Sequence, residues 1–150
     1  MTVISLDSSP LSLLTQRRGP AEAEACQKWL AQHLRAGTRI VVPSIVDYEL
    51  RRELMRAGKT ASVARLDAFL AADAARLIPM TDTALRRAAS IWATARRAGL
   101  PTADPKELDI DVLQVAQIQG SGIDSASVVI ATSNVGHLAR FMRADFWQKL

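Results

Sequence analysis

The sequence predicts an α/β fold: a three-layer sandwich in which a central, mostly parallel sheet of four or five strands has helices on both faces. Short, β-branched apolar segments alternate with longer segments whose apolar residues recur every three or four positions. The short segments are apolar almost without a break, which is typical of strands buried on both sides. Strands that alternate with helices pair in parallel, so one sheet covered by helices is expected.

The strands are predicted where β-branched residues cluster between residues that break regular structure. Pro10 and Pro43 follow the first two segments, and Gly120 and Gly122 precede the fourth. The last segment is predicted to be a small edge strand. The predicted strands span residues 2–6, 39–42, 76–80, 127–132 and 145–147.

The helices are predicted from apolar spacing and from the residues that begin or end them. Gly37, Gly58 and Gly99 are each suited to end a helix, and Thr81 or Asp82 is suited to cap one. The prediction is a short helix from residue 11, helices over 21–36, 44–57, about 63–70, 82–99 and 108–119, a polar loop over 101–107, and a short segment over 135–142.

The composition is that of an ordinary globular protein, and we expect one domain over residues 1–150. Hydrophobic residues make up 49% of the 150, enough for a core at this length. Cys26 is the only cysteine, which excludes an internal disulfide and a cysteine-rich zinc site. No apolar run approaches the roughly 20 residues that cross a bilayer, so we expect no membrane span and a cytoplasmic location.

The net charge is +4, from 19 basic and 15 acidic residues. This excess is modest, and it is compatible with RNA or an acidic protein as a partner. No Gly-x-Gly-x-x-Gly or P-loop pattern occurs, which disfavours a dinucleotide or nucleoside triphosphate site.

Oxygen-bearing side chains follow the predicted strands, at the edge of a parallel sheet where ligands bind. Four segments supply them: Asp7, then Asp47 and Glu49, then Asp109 and Asp111, then Thr132, Ser133 and Asn134. Carboxylates that converge repel one another, and a divalent cation relieves that cost. Oxygen ligands without a Cys or His cluster favour Mg²⁺ or Mn²⁺, ions suited to phosphodiester hydrolysis.

These segments resemble the four signature segments of the PIN-domain ribonucleases, and above all the VapC-like toxins of type II toxin–antitoxin systems. The matching stretches are residues 6–9, 43–50, 109–116 and 132–138, in the family's order and spacing. The resemblance implies a PIN-like fold and a metal-dependent endoribonuclease that uses Mg²⁺ or Mn²⁺. It also implies a cognate antitoxin protein and a homodimer.

Carried over residue by residue, the resemblance makes Asp7, Glu49 and Asp111 metal ligands and catalytic residues, with Asp109 as a neighbouring ligand. Asn134 matches the fourth position, which is often an aspartate in the family and often an asparagine in the toxins. The chain departs from many toxins at Ser8-Ser9, where they have Thr-Asn. The neutral Asn134 leaves open whether one metal ion or two bind.

Two further surfaces are expected from the resemblance. Arg140 and Arg143 follow the fourth segment and are candidates to contact the RNA backbone, together with Thr132 and His137. The antitoxin is expected to wrap the domain, to present a basic side chain to the acidic pocket and to meet exposed apolar residues. Those apolar residues lie on the two helices after the second strand: Leu50, Leu54, Val63 and Leu66.

Each acidic residue also has a purely structural interpretation. Asp7 is suited to cap the first helix. Asp47, Asp109 and Asp111 all fit the favourable place of an acid in the first turn of a helix, and at most one of Asp109 and Asp111 need be catalytic, with Asp111 favoured. Asn134 fits a turn. Glu53 is predicted to be a solvated ion-pair partner of a neighbouring base: Arg52, Arg56 or Lys59.

Two other functions compete with the ribonuclease. A haloacid-dehalogenase-like phosphatase also places an aspartate after its first strand, but it needs a second acid two residues later, where this chain has Ser9. The other is a degenerate PIN domain that binds RNA or protein without catalysis. The retained Asp7, Glu49 and Asp111 disfavour it, whereas the neutral Asn134 keeps it open.

Overall fold

The computed structural model describes residues 2–99 and 105–150, and for residues 105–108 it describes the backbone alone. Within these ranges five strands form one sheet, in the order β3-β2-β1-β4-β5, and every neighbouring pair is parallel. The strands are β1 (Val3–Leu6), β2 (Arg39–Pro43), β3 (Leu77–Ile78), β4 (Val128–Thr132) and β5 (Ala144–Phe146). The predicted α/β fold with a parallel sheet is confirmed.

The described ranges contain seven α-helices, and they occupy the segments between the strands. They are α1 (Ser8–Thr15), α2 (Ala21–Arg35), α3 (Ser44–Arg56), α4 (Thr60–Ala71), α5 (Asp82–Arg97), α6 (Pro105–Gln119) and α7 (Val135–Leu138), with 3-10 turns over Ser125–Ser127 and Trp147–Lys149. None of these helices is long and apolar enough to span a membrane.

Two helices begin earlier than the sequence predicts, and both have a proline in the first turn. In α1 the helix starts at Ser8 instead of residue 11, because Asp7 caps it and a proline is tolerated at Pro10. In α6 it starts at Pro105 instead of residue 108, since proline favours the first helical position. The loop prediction is therefore wrong for residues 105–107, and residues 101–104 lie outside the described ranges.

The two faces of the sheet bury separate cores, which gives the predicted three layers. Alternate residues of β1 point to opposite faces. Ile4 and Leu6 pack in a core with residues of α1 to α4, whereas Val3 packs in a second core with Val115 and Ile118 of α6. Helices thus cover both faces of the sheet.

The expected antitoxin surface on α3 and α4 is wrong. Leu50, Leu54 and Leu66 are buried in the first core, and Val63 packs against it. Because α3 and α4 pack on each other and on the sheet, their apolar residues at three- and four-residue spacing form the inward stripe. The large apolar side chains that α3 exposes are Tyr48 and Met55.

Asp47 joins α3 to α4 instead of taking part in the acidic site. Arg51 donates hydrogen bonds to both oxygens of Asp47, the shorter at 2.9 Å, and also lies 2.7 Å from Asp67 on α4. On the outer side of α3, Glu53 pairs with Arg56 at 2.9 Å, as predicted. The contacts of Arg51 therefore link α3, the helix that carries Glu49, to α4.

Candidate active site

Asp7 lies where β1 ends and α1 begins, and both oxygens of its carboxylate are held. Oδ1 accepts a hydrogen bond from the backbone N–H of Ser8 at 2.8 Å, and Oδ2 accepts one from Thr132 Oγ1 at 2.7 Å. The backbone N–H of Asp7 donates to the carbonyl of Ala131 at 3.0 Å, which continues the β1–β4 pairing. Asp7 is therefore both the N-cap of α1 and a bridge between two strands.

Asp7 lies at the point of the sheet where the order of successive strands reverses. The strand order runs outward from β1 to β2 on one side and from β1 to β4 on the other. In open α/β sheets, ligands bind at such a switch point, outside the carboxyl ends of the strands. The hydrogen bond from Thr132 to Asp7 spans this point.

Burial raises the pKa of the Asp7 carboxyl above its ordinary value of 3.8, and the hydrogen bonds from Thr132 and Ser8 lower it in part. The net shift means that the surroundings disfavour the negative charge. A positive charge placed beside Asp7 would offset this cost.

Ser8 brings Glu49 to the same place. Its hydroxyl lies 3.4 Å from Oε1 of Glu49, a long hydrogen bond, and its backbone N–H donates to Asp7. One serine thus contacts two carboxylates that are 42 residues apart in the chain. In the sequence, Ser8 stood out only as a departure from the family pattern. Serine is common in turns, so the residue type alone did not predict this role.

Asp111 faces α7 from the seventh residue of α6. Its Oδ2 lies 3.8 Å from Nδ1 of His137, which is within ion-pair range but longer than a hydrogen bond. Because α6 begins at Pro105, neither Asp109 nor Asp111 lies in the first turn, and the interpretation as first-turn acids is wrong. Two residues apart on a helix means about 200° around its axis, so the exposed Asp109 points away from the side that carries Asp111.

Thr132 connects Asp7 to the segment that follows β4. Its hydroxyl donates to Asp7 and accepts the backbone N–H of Asn134 at 2.8 Å. The Thr132 side chain is 0% exposed, so the expected substrate contact through it is not supported and its place is behind Asp7. Asn134 is exposed at the N-terminus of α7, where its side chain makes no capping hydrogen bond.

Replacing Thr132 with valine is expected to lower the free energy of unfolding by about 1–3 kcal/mol, because the carboxylate of Asp7 and the backbone N–H of Asn134 both lose their hydrogen bond to the buried hydroxyl. The pKa of Asp7 should rise further, since one of the bonds that lower it is gone. Carboxyl titration by NMR and urea unfolding measure the two effects. Thr15→Val is the matched control: Thr15 is also buried, but its hydroxyl donates to the carbonyl of Ser12, so the pKa of Asp7 should not change.

The arginines expected to contact RNA lie after α7. Arg140 is exposed and lines a cleft against α5, and Arg143 is exposed while its carbonyl accepts the N–H of Ile130. Arg143 therefore anchors β5 to β4 through its backbone. Arg140 follows by three positions His137, the residue that lies 3.8 Å from Asp111.

Gln117 is a further residue that positions the site, and its role was not predicted from the sequence. Its side chain is buried on α6, donates to Ser44 Oγ at 2.8 Å and to the carbonyl of Ile78 at 2.9 Å, and accepts the N–H of Ile45 at 2.9 Å. These bonds fix the start of α3, which carries Glu49. A glutamine inside an apolar helical stretch was the available signal.

The donor set fits a hard divalent cation, although the residues are not gathered into a cage. Among residues 2–99 and those from 109 onward, no three His, Cys, Asp or Glu side chains form a group able to hold a metal ion. Mg²⁺, however, commonly uses one or two carboxylates and keeps several waters. Asp7 with its raised pKa and Glu49 beside the same serine meet that smaller requirement.

The protein has a parallel α/β sheet in the order β3-β2-β1-β4-β5, with acidic residues at its switch point. This combination is the one expected of a PIN-like fold. The family model described as "PIN domain" matches residues 4–135, and the chain belongs to the PIN-domain family. The resemblance seen in the sequence is thereby confirmed. A search of curated protein sequences finds no match.

Several solved structures share this fold across almost the whole chain. One is FitAcB from Neisseria gonorrhoeae, with a TM-score of 0.71, 22% identity and coverage of 99% of this chain and 100% of the other. DNA-bound VapBC from Salmonella typhimurium has a TM-score of 0.67 and 16% identity, with coverage of 98% of this chain and 99% of the other. VapBC2 from Rickettsia felis, bound to a promoter DNA fragment, has a TM-score of 0.65 and 16% identity, with coverage of 97% of this chain and 99% of the other. The fold is thus VapC-like.

Proposed function

We propose that this chain is a metal-dependent endoribonuclease, the toxin of a type II toxin–antitoxin pair, and that residues 1–150 act as one PIN-like domain. The observation that carries the proposal is the position of Asp7. Its desolvated carboxylate is held at the switch point of the sheet by Thr132 and shares Ser8 with Glu49. Membership of a family of nucleases supports the same conclusion.

Asp7, Glu49 and Asp111 are the residues that would hold Mg²⁺ or Mn²⁺, with Asn134 beside them. When bound, such an ion polarises a phosphoryl oxygen and lowers the pKa of a bound water, as phosphodiester hydrolysis requires. The chain positions these ligands through other residues. Thr132 fixes the carboxylate of Asp7, and His137 lies beside that of Asp111. Gln117 fixes the helix of Glu49.

We further propose a cognate antitoxin, a homodimer and a cytoplasmic place of action. The support is that the structural neighbours come from VapBC and FitAcB assemblies. With Leu50, Leu54 and Leu66 in the core, the antitoxin must contact other residues than those expected from the sequence.

The decisive experiment is cleavage of a mixed RNA pool by the purified full chain, with Mn²⁺ or Mg²⁺ and with EDTA. We expect cleavage only with the ion, and a loss of at least about a hundredfold in Asp111→Asn. Asp109→Asn is the matched variant, with the same chemical change on the other side of α6, and it is expected to retain most of the activity. Equal losses in both variants would contradict the assignment of Asp111.

The degenerate binding module remains the second candidate. The observation that favours it is the absence, within the described residues, of a three-residue group able to hold a metal. Calorimetry with Mn²⁺ separates the two functions. No heat of binding together with no cleavage by the wild-type chain would leave the binding module as the function.

A further inference from the structure

A concave surface lies between α5 and the segment after α7. It is a cleft of about 280 Å³, close to the lower end of ligand pockets, ~300–1,000 Å³. Five of its residues lie on one side of α5, Ala98 is the C-cap of that helix, and two come from the other segment: Arg87, Ser90, Ile91, Thr94 and Ala95, then Ala98, then Arg140 and Phe141.

The cleft combines an apolar floor with a cationic rim. Ile91 and Phe141 are partly buried and supply apolar and aromatic surface, whereas Arg87 and Arg140 are exposed. Gln119 accepts a hydrogen bond from Nε of Arg87 at 2.9 Å, which fixes the plane of that guanidinium group. Among the described residues that line the cleft there is no carboxylate.

This chemistry matches one nucleotide of a single strand. Guanidinium groups bind phosphate through paired hydrogen bonds, and an aromatic ring with aliphatic neighbours provides the surface on which a base stacks. Ser90 and Thr94 also line the cleft, and their hydroxyls can donate and accept hydrogen bonds, as a sugar requires.

The cleft is connected to the acidic site by packing and by the chain. Ile91 and Phe141 pack against the cluster of Ala88, Val112 and Ala116, and Val112 directly follows Asp111. Arg140 follows His137 by three residues, a distance of at most about 11 Å along the chain. A strand that reaches the acidic residues would therefore place a neighbouring nucleotide over the cleft.

We propose that this cleft is a subsite for a nucleotide adjacent to the phosphodiester that is cleaved, with Arg87 and Arg140 on its phosphate and Phe141 under its base. The inference rests on the proposed function for the strand that occupies the site. The binding itself needs neither metal nor cleavage, so it is testable separately.

The first test is an NMR titration of the metal-free full chain with adenosine 5′-monophosphate. We expect the amide signals of Ser90, Thr94 and Arg140 to shift, and the Arg87→Ala/Arg140→Ala variant to bind at least about tenfold more weakly. Arg35→Ala is the matched control, an exposed arginine of α2 on the opposite face of the sheet. Inorganic phosphate alone should bind more weakly than the nucleotide, and equal binding would overturn the base-binding half of the proposal.

The second test is fluorescence anisotropy with a labelled RNA strand in EDTA, as a function of salt. The double variant should bind more weakly and lower the slope of log K against log[salt] by about 1, whereas Arg35→Ala should match the wild type. Unchanged RNA affinity and unchanged nucleotide shifts overturn the subsite and leave the cleft to a protein partner. Nucleotide binding in the cleft without any RNA cleavage supports a nucleotide site in the cleft and rejects the ribonuclease.

Discussion

Replacing Asp7 with asparagine is expected to reduce RNA cleavage at least about a thousandfold and, in metal-free buffer at neutral pH, to make the folded protein more stable than the wild type. The two effects share one cause. The carboxylate of Asp7 is desolvated, and its raised pKa shows that the fold tolerates the charged form poorly. Asparagine resembles the protonated acid, keeps the cap on α1 and removes that cost.

The pH dependence of this gain follows from the direction of the shift. Because the pKa of Asp7 is higher in the folded protein than its ordinary 3.8, the folded protein holds the proton more tightly than the unfolded chain does. The free energy of unfolding contributed by Asp7 therefore falls as the pH rises from 3.8 to the raised pKa, and it stays low above it. The advantage of Asp7→Asn should appear across that window and persist at neutral pH.

Thermal unfolding measures both parts of this expectation. Wild-type protein in EDTA should melt below Asp7→Asn, and a Mg²⁺ or Mn²⁺ concentration of about a hundred times Kd should raise the wild-type Tm by roughly 5–10 °C. The variant should show no such rise. Asp124→Asn is the control, since Asp124 caps an exposed turn and asparagine caps equally well. A wild type that melts above Asp7→Asn in EDTA would show that the hydrogen bonds of Asp7 outweigh its desolvation.

The fold could be predicted from the sequence because the features that indicate it lie close together in the chain. An apolar β-branched segment and the aspartate that follows it are neighbours in the chain, and parallel strands bring all such ends to one edge. Asp7 and the segment after β4 could be placed together on these grounds alone. The bond from Thr132 to Asp7 confirms that placement.

The contacts that could not be predicted from the sequence depend on helix register and on pairs of residues that are far apart in the chain. Ser8 with Glu49, and Gln117 with Ser44, lie 41 and 73 residues apart, and only the packing angles of the helices bring them together. The start of α6 was misplaced by three residues, which changed the turn in which Asp111 lies. On α3 and α4 the apolar spacing was right, but spacing does not say whether a stripe faces the core or a partner.

Two buried glutamines on α6, Gln117 and Gln114, allow a matched test of how much long-range hydrogen bonds contribute to stability. Gln117→Leu removes three hydrogen bonds and leaves the N–H of Ile45 and the carbonyl of Ile78 without their partner. We expect the free energy of unfolding to fall by about 3–5 kcal/mol. RNA cleavage should fall too, because the start of the helix that carries Glu49 is released.

Gln114→Leu makes the same chemical change one turn earlier, and it should have the opposite sign. Gln114 is fully buried, and its amide oxygen and nitrogen have no hydrogen-bond partner among the described residues. Leucine of similar volume removes that unsatisfied group, so stability should rise by about 1–2 kcal/mol. Urea unfolding of both variants measures the contrast. Destabilisation of equal size in both would mean that burying any leucine here disturbs packing, and that the bonds of Gln117 do not hold α3.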